Sequence, residues 1–476
     1  MKRNRLILCL SYFFPLSLFL SCSGLEQYDI SKDYNQSQNQ VFNKIDIKQE
    51  FGRILSVAIA EDESLRSFLK KESLKRFDND YDILYHKVKD LYVNNNKTFR
   101  EVILEYIEEE EILEDIESKC PLLTIYVPVL PENTFSPELW DVSSQIPEVA
   151  VFNTEKKNVW IYDKSGGIKV WGVEKIPAYP VIVVKECERV CSLGFSESNG
   201  FVFEFIDEVF DGSKKELEIL RASTIDDKVK TAYNIYKNID GWQRDYIYYD
   251  ISPSQIRGAF KYDYQEYITS FKLGTPTMTD ISSIIRRISD SSTDPGFNNN
   301  WTDGSFEFLV KAKVNASNGI GEEVRKIFSL KADQLFSSTY INKGLYFLRS
   351  GMAAKTVSLN IPLINWDLYQ YSPSIKISLE EVDPSEVVTT RYETISIFAT
   401  NFEFTTSGLV KVGLKFGQSN TNTVTNVTES VYNYASDNLG DVIVNFADKV
   451  IIDDNSSIRK YYNGTYTITI EPKKVQ

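Results

Sequence analysis

Apolar and polar positions follow different rhythms along this chain. Between residues 45 and 118 the apolar positions recur every three or four residues. Ile47, Phe51, Ile54, Leu55, Ala58 and Ile59 fall on one helical stripe. Leu65, Phe68 and Leu69 start a second helix that ends near Phe77. Tyr81, Leu84, Tyr85, Val88 and Leu91 predict a third, with Asp78 or Asp80 as its N-cap. Phe99, Val102, Ile103, Tyr106 and Ile107 predict a fourth. Helices of this length joined by short loops suggest a small bundle.

After Cys120-Pro121 the rhythm changes. LLTIYVPVL, EVAVFN, VWIYD, GIKVWG and YPVIVVK are short, β-branched and aromatic, and residues 163–167 (DKSGG) read as a hairpin turn. Helices return where residues 224–227 (TIDD) precede Val229, Ala232, Tyr233 and Tyr236. Thr275-Pro276 opens another, with Met278, Ile281, Ile284, Ile285 and Ile288 on its face. From about residue 301 a period of two dominates. Phe306, Phe308, Val310, Ala312 and Val314 alternate with Glu307, Leu309, Lys311 and Lys313, and segments 375–379, 410–416 and 466–470 repeat the pattern. Such alternation predicts antiparallel sheets with polar outer faces, stacked as a sandwich. The expected fold class is multidomain α+β. A small N-terminal helical bundle covers 45–118, a mixed β-rich region with helices covers 119–300, and a C-terminal antiparallel β-sandwich covers 301–476.

The N-terminus reads as an address. Lys2, Arg3 and Arg5 precede an apolar run from Leu6 to Leu20, interrupted by Pro15, and the small Ser21 stands before Cys22. A charged start, a short apolar stretch and a small residue at the cut predict a secretory signal over 1–21. The run falls short of the roughly 20 residues that span a bilayer. Ser21-Cys22 resembles the lipobox of bacterial lipoproteins, although Phe19 stands where that motif usually has Leu. The resemblance implies a diacylglycerol on the Cys22 thiol and an acyl chain such as palmitate on the new amine. More than one chain makes such attachment stable. Residues 22–44 are polar and aperiodic, a flexible tether with an r.m.s. span of roughly 25 Å.

Charge and cysteines narrow the partners. The formal net charge is −14, and it becomes −17 when Lys2, Arg3 and Arg5 leave with the signal. Nucleic acid and anionic lipid surfaces both call for a basic patch. Removal of Cys9 and acylation of Cys22 leave Cys120, Cys187 and Cys191, an odd count that makes no disulfide framework. A bridge between Cys187 and Cys191 would need a turn, because on a straight strand the two stand too far apart.

Catalytic chemistry is sparse. His86 is the chain's one histidine and reads as a helix-boundary residue. Asp78, Asp80 and Asp82 open like a calcium loop, but Ile83 and Lys89 stand where such a loop needs Gly and Glu, so capping is the expected role. Asp294, Asn298, Asn300 and Asp303 offer oxygen ligands, in what reads as an ordinary loop. Residues 108–111, four glutamates, read as a solvated helix end. Trp242, Tyr246, Tyr248 and Tyr249 form the densest aromatic cluster, with Tyr246 and Tyr248 on one strand face; core packing is expected over a stacking site. No catalytic residue, metal site or cofactor is expected.

The runs FLKKESLKRFDNDYDILYHKVKD, WQRDYIYYD, NWTDGSFEF and LVKVGLKFG resemble a group of uncharacterised envelope lipoproteins of Bacteroidota. That resemblance implies an envelope location and says nothing of an activity. SIKISLEEVDPSE, NFEF and SDNLGDVIV resemble the strand order of C2 domains, with Asp383 and Asp437 near that family's calcium-ligating places but no full set. The expected protein is lipid-anchored, of the cell envelope, and binding or structural rather than enzymatic. Its partners would be the membrane through its anchor and an envelope protein or glycan, with no nucleic acid. The alternatives are a carboxylate-dependent hydrolase of glycan or peptidoglycan, and a C2-like calcium-binding or interaction module. After Cys22 the first acids are the separated Glu26 and Asp29. The acidic cluster common in surface lipoproteins of Bacteroidota is missing, which favours the periplasmic face of the outer membrane over the cell surface.

Overall fold

The first helical stripe buries itself completely. α1 (Lys44–Glu61) turns Phe51, Ile54, Leu55, Ala58 and Ile59 inward. Asp62 then opens α2 (Glu63–Ser73), its carboxylate accepting from the N–H groups of Ser64 and Leu65. The computed structural model describes residues 44–107, 109–153, 158–196, 200–213, 224–255, 257–288, 301–302, 305–316, 320–382, 395–399 and 436–475.

From Ser73 to Cys120 tertiary pairing overrules the helical pattern. The third expected helix is a strand, β1 (Asp82–Leu84), followed by a single turn, α3 (Tyr85–Val88). α4 (Phe99–Leu104) is the fourth helix, shortened, and opened by a Thr98–Glu101 capping box. α5 (Glu110–Lys119) begins inside the acidic run, where Glu110 and Glu111 suit the positive end of the helix dipole. β1 pairs with β2 (Leu123–Tyr126), Ile83 opposite Ile125. The chain continues through β3 (Glu148–Asn153), β4 (Asn158–Tyr162), β5 (Ile168–Gly172), β6 (Lys175–Pro177), β7 (Val181–Glu186), β8 (Val190–Ser196) and β9 (Gly200–Phe205). The expected turn at 163–167 joins β4 to β5, with the Asp163 N–H donating to the Gly167 carbonyl at 2.9 Å.

Six strands in the order β1-β2-β7-β3-β4-β5 form a sheet that is antiparallel except at β3–β7. α1 lies so close to this sheet that a Cβ at Gly52 would come within 2.7 Å of Val151. The helices do not close a core of their own, as a bundle would. α3 and α4 are too short to do so, and Phe51, Leu69 and Phe99 share one core with Val151 and Ile182.

The second half comprises α6 (Asp227–Tyr236), α7 (Gln243–Tyr249), β10 (Tyr264–Leu273), α8 (Ser282–Ile288), β11 (Ser305–Ala316) and β12 (Ile320–Lys331). α9 (Ala332–Leu335), β13 (Phe336–Asn342), β14 (Tyr346–Ala354), β15 (Val357–Pro362) and β16 (Tyr371–Val382) follow. β17 (Ile395–Ala399), β18 (Ser436–Asn445), β19 (Lys460–Tyr462) and β20 (Tyr466–Lys474) complete it. One antiparallel sheet has the order β17-β12-β11-β16-β18, another β15-β10-β20-β19. They face each other: the Phe271 ring lies 5.1 Å from Phe308 and 5.7 Å from Phe328. α6, α7 and α8 seal this core with Val229, Tyr248 and Ile285, so they and β10 belong with the strands after residue 301. A third sheet, β13-β14-β6, takes β6 from the first half. The molecule is mixed α/β and strand-rich.

Three further expectations are corrected. Tyr246 and Tyr248 lie on helix α7, where Tyr248 and Tyr249 are buried in the core as expected. α8 starts at Ser282, because the Asp280 carboxylate accepts from the Ser282 N–H at 2.9 Å and sets the helix start there. The polar face of β11 is not solvated. Glu307, Lys311 and Lys313 are buried, with Lys311 paired to Glu380 at 2.6 Å and Lys313 to Glu323 at 3.0 Å. Phe210 covers part of that face by packing on Leu309 and Ile327. Alternation reports two faces, not which of them meets water.

Cys22, its signal and residues 22–43 of the tether lie outside the described residues, as do Glu108, Asp294, Asn298, Asn300, Asp303, Asp383 and the strand expected over 410–416. Among the described residues no helix is long and apolar enough to cross a membrane.

Candidate functional site

The segment Asp78-Asn79-Asp80-Tyr81-Asp82 ties the two halves together. Its acids do not cap a helix; Asp78, Asp80 and Asp82 are all buried. Buried carboxylates need charge partners and hydrogen bonds. Arg189 donates to the Asp78 carbonyl at 2.8 Å and stands 3.8 Å from the Asp80 carboxylate. Lys331, at the end of β12, is 3.5 Å from Asp80, and Lys185 is 3.2 Å from Asp82. The Ser305 hydroxyl donates to Asp80 at 3.1 Å. Burial by itself raises the Asp80 pKa, but Lys331, Arg189 and Lys185 outweigh it and bring the group to about 2. Asp80 is therefore an ionised hub between β1, β7, β11 and β12.

Cys187 joins the group. Its thiol lies 3.6 Å from an Asp78 oxygen, and donor atoms of Asp78, Asp82 and Cys187 fall within 4.8 Å of one another. Burial, then Asp78 and Asp82, push the thiol pKa well up, so Cys187 stays protonated. With Lys185 and Arg189 already supplying positive charge, the arrangement is that of a structural network.

On the outer side of this hub, Tyr81 opens onto a cleft of about 740 Å³. That volume lies in the usual range for ligand sites. It is lined by Tyr81, Tyr126, Leu130, Glu138, Ile176, Lys331, Phe336, Ser337, Ser338 and Tyr340. Trp301 lines the cleft and is 3% exposed; its indole N–H finds no acceptor among the described residues. The Tyr81 hydroxyl donates to Glu138, and the Lys331 ammonium sits 4.7 Å above the Tyr81 ring. Burial and the Glu138 contact raise the Tyr81 hydroxyl to about 12. Burial works against ionisation of Glu138, yet hydrogen bonds from Tyr81 and Ser136 and the charge of Lys331 hold its carboxyl below the ordinary range. Near neutral pH Glu138 is therefore an ionised acceptor and has no proton to give.

The other residues singled out by sequence do not line this cleft. His86 packs its ring 4.9 Å from Phe201 and places Nε2 3.1 Å from the Glu117 carbonyl; burial lowers its pKa. Cys120, Cys187 and Cys191 are all free thiols, so Cys187 and Cys191 form no bridge. β16 and β18, the strands of the C2-like likeness, pair antiparallel with Ile377 opposite Val442. Of that likeness's acids, the Asp437 backbone lies in β18. Sequence reasoning missed Glu138, Lys331 and Trp301 as a group, because they come from segments far apart in the chain. The one signal in reach was the density of acids and a tyrosine at 78–82.

The chain matches no protein-family model, no curated protein and no solved structure.

Proposed function

We propose that this is a lipid-anchored cell-envelope protein that holds a ligand in the Tyr81–Trp301 cleft without transforming it. One observation carries the binding reading: the cleft combines five aromatic side chains with paired charges, and its Glu138 is an ionised acceptor. A glycan hydrolase needs a carboxylic acid that keeps its proton at working pH. Glu138 is held the other way, which disfavours that alternative. The envelope reading rests on the signal over 1–21, the lipobox-like Cys22 and the resemblance to uncharacterised lipoproteins of Bacteroidota. In this reading the two facing sheets of the second half form the C-terminal β-sandwich, and the body hangs at the periplasmic face of the outer membrane.

A thermal-shift screen of sugars, peptides and lipids tests the cleft. A bound ligand stabilises by mass action. It should raise the melting temperature of the wild type and leave that of Leu139→Asp, a half-exposed residue on the cleft rim, unchanged. A screen in which no class behaves this way overturns the binding reading. Replacement of Cys22 by Ser should release the protein from membranes; a variant that still sediments with them and still carries lipid overturns the anchor. Protease added to intact cells should spare the protein, and its rapid loss beside untouched periplasmic controls would put it on the outside.

A further inference from the structure

The small sheet β13-β14-β6 has two unlike faces. Residues directly opposite in neighbouring strands share a face. Phe347 stands opposite Ile176, and both are buried in the core shared with Val151 and Ile182. Leu348 stands opposite Lys175 on one side and Ile341 on the other, so these three and Tyr346 make the outward face. Ile341, Tyr346 and Leu348 belong to no hydrophobic core among the described residues. Ile341 is 47% exposed. Leu345, in the turn between β13 and β14, is 69% exposed, the most of any large apolar side chain among the described residues. The turn is pinned: the Lys343 N–H donates to the Tyr346 carbonyl at 2.8 Å, and the Ala178 N–H to the Leu345 carbonyl at 3.0 Å.

Rings and cations interleave on this face. The Trp171 ring lies 5.8 Å from that of Tyr346, and the Lys175 ammonium sits 5.8 and 5.2 Å from their centroids. A ring attracts a cation without neutralising it. Neither Lys175 nor Lys343 forms an ion pair among the described residues. In a chain of net charge −14, two uncompensated cations set this face apart. Aliphatic tips on a pinned turn, Trp and Tyr rings behind them and lysines without counter-ions fit a lipid interface. The tips enter the acyl boundary, the rings sit among the headgroups and the ammonium groups meet phosphates. An anionic headgroup layer repels the acidic remainder of the molecule, which favours the approach of this face. On the anchored reading a tether of roughly 25 Å keeps a bilayer in reach, so a weak contact suffices.

We propose that the outward face of β13-β14-β6, led by Leu345 and Ile341, lies on an anionic phospholipid surface and orients the body there. This rests on the anchored reading for the nearness of the bilayer and is independent of what the cleft holds. Two aliphatic side chains and two lysines hold weakly and reversibly. The face therefore orients an anchored protein and does not retain one that has lost its anchor. Ile176 and Tyr340, on the opposite face, line the cleft, so docking leaves that lining clear of lipid.

The test uses residues 22–476 with Cys22→Ser, so that no acyl chain contributes, and an excess of vesicles of phosphatidylethanolamine and phosphatidylglycerol. Binding should saturate, weaken with salt and exceed that to neutral phosphatidylcholine vesicles. Lys343→Gln should weaken it about fivefold and Leu345→Ser about tenfold. Both side chains are exposed, so both variants should melt like the parent. Tyr262→Ser, at an exposed aromatic outside this sheet, should bind like the parent. Brominated lipid should quench the parent's tryptophan fluorescence more than that of Trp171→Phe. Vesicle binding that survives both Lys343→Gln and Leu345→Ser overturns the face. No binding by protein that melts normally overturns the bilayer contact, whereas the anchor is judged separately, by lipid on Cys22 in cells. Self-association that is lost in Leu345→Ser, in place of vesicle binding, overturns the bilayer and gives the face to a second copy of the chain. Binding of a soluble polyuronate that is lost in Lys175→Gln, with none to vesicles, overturns it in favour of an acidic glycan.

Discussion

Arg189 donates from Nε and Nη2 to the same carboxylate oxygen of Glu307, at 3.2 and 3.1 Å, across 118 positions of chain. Both side chains are buried. The pair fastens the segment between β7 and β8 to β11, and Arg189 also reaches Asp78 and Asp80. Removing one partner of a buried pair leaves the other charge without compensation, at about 3–5 kcal/mol. Arg189→Met should shift the urea midpoint down accordingly, and adding Glu307→Gln should recover part of the loss. A double variant no more stable than the single one would show that the pair is not the source of the effect.

Asp245 sits on α7 with its Oδ1 buried and, among the described residues, without a hydrogen-bond partner, and burial raises its pKa to about 7. The folded pKa lies above the unfolded value of 3.8. Between those two pH values the folded state holds a proton that the unfolded chain has released, so stability falls as pH rises through that window. Asp245→Asn removes the slope. Its gain over the wild type should grow from pH 5 to pH 8 by on the order of 2 kcal/mol. Denaturant melts at the two pH values measure this, and parallel curves would refute it.

The three thiols of the body differ in access. Cys120 and Cys187 are buried and Cys191 is half-buried. In protein lacking Cys22, a thiol reagent should label Cys191 first and reach the other two only in denaturant. Fast native labelling of Cys187, read by peptide mass, would contradict its protonated, enclosed state.

Gly212 donates to the Phe77 carbonyl at 2.9 Å, and a Cβ there would lie 2.0 Å from the Arg76 carbonyl oxygen. That oxygen belongs to backbone and cannot swing aside. Gly212→Ala should cost about 1–3 kcal/mol in thermal unfolding, the usual range for overpacking. A neutral substitution would mean that the loop carrying Phe210 is free to move outward.

The sequence by itself determined the elements whose pattern is local. α1 follows from its apolar stripe, α2 from Leu65, Phe68 and Leu69, α6 from the acids before Val229, and the β4–β5 hairpin from its turn residues. The strands over 305–316, 371–382 and 466–474 follow from a period of two. Each is decided by backbone preference and one buried face, both of which lie within a dozen residues of chain. Tertiary structure decided everything that depends on a distant partner. Asp82-Ile83-Leu84 fits a helical stripe, yet it becomes a strand because β2 offers it an edge. Lys311 and Lys313 look solvated, yet they are buried because Glu380 and Glu323 pair with them. The cleft was illegible for the same reason. Tyr81, Glu138, Trp301 and Lys331 have no shared spacing, and only tertiary packing brings their side chains around a common space.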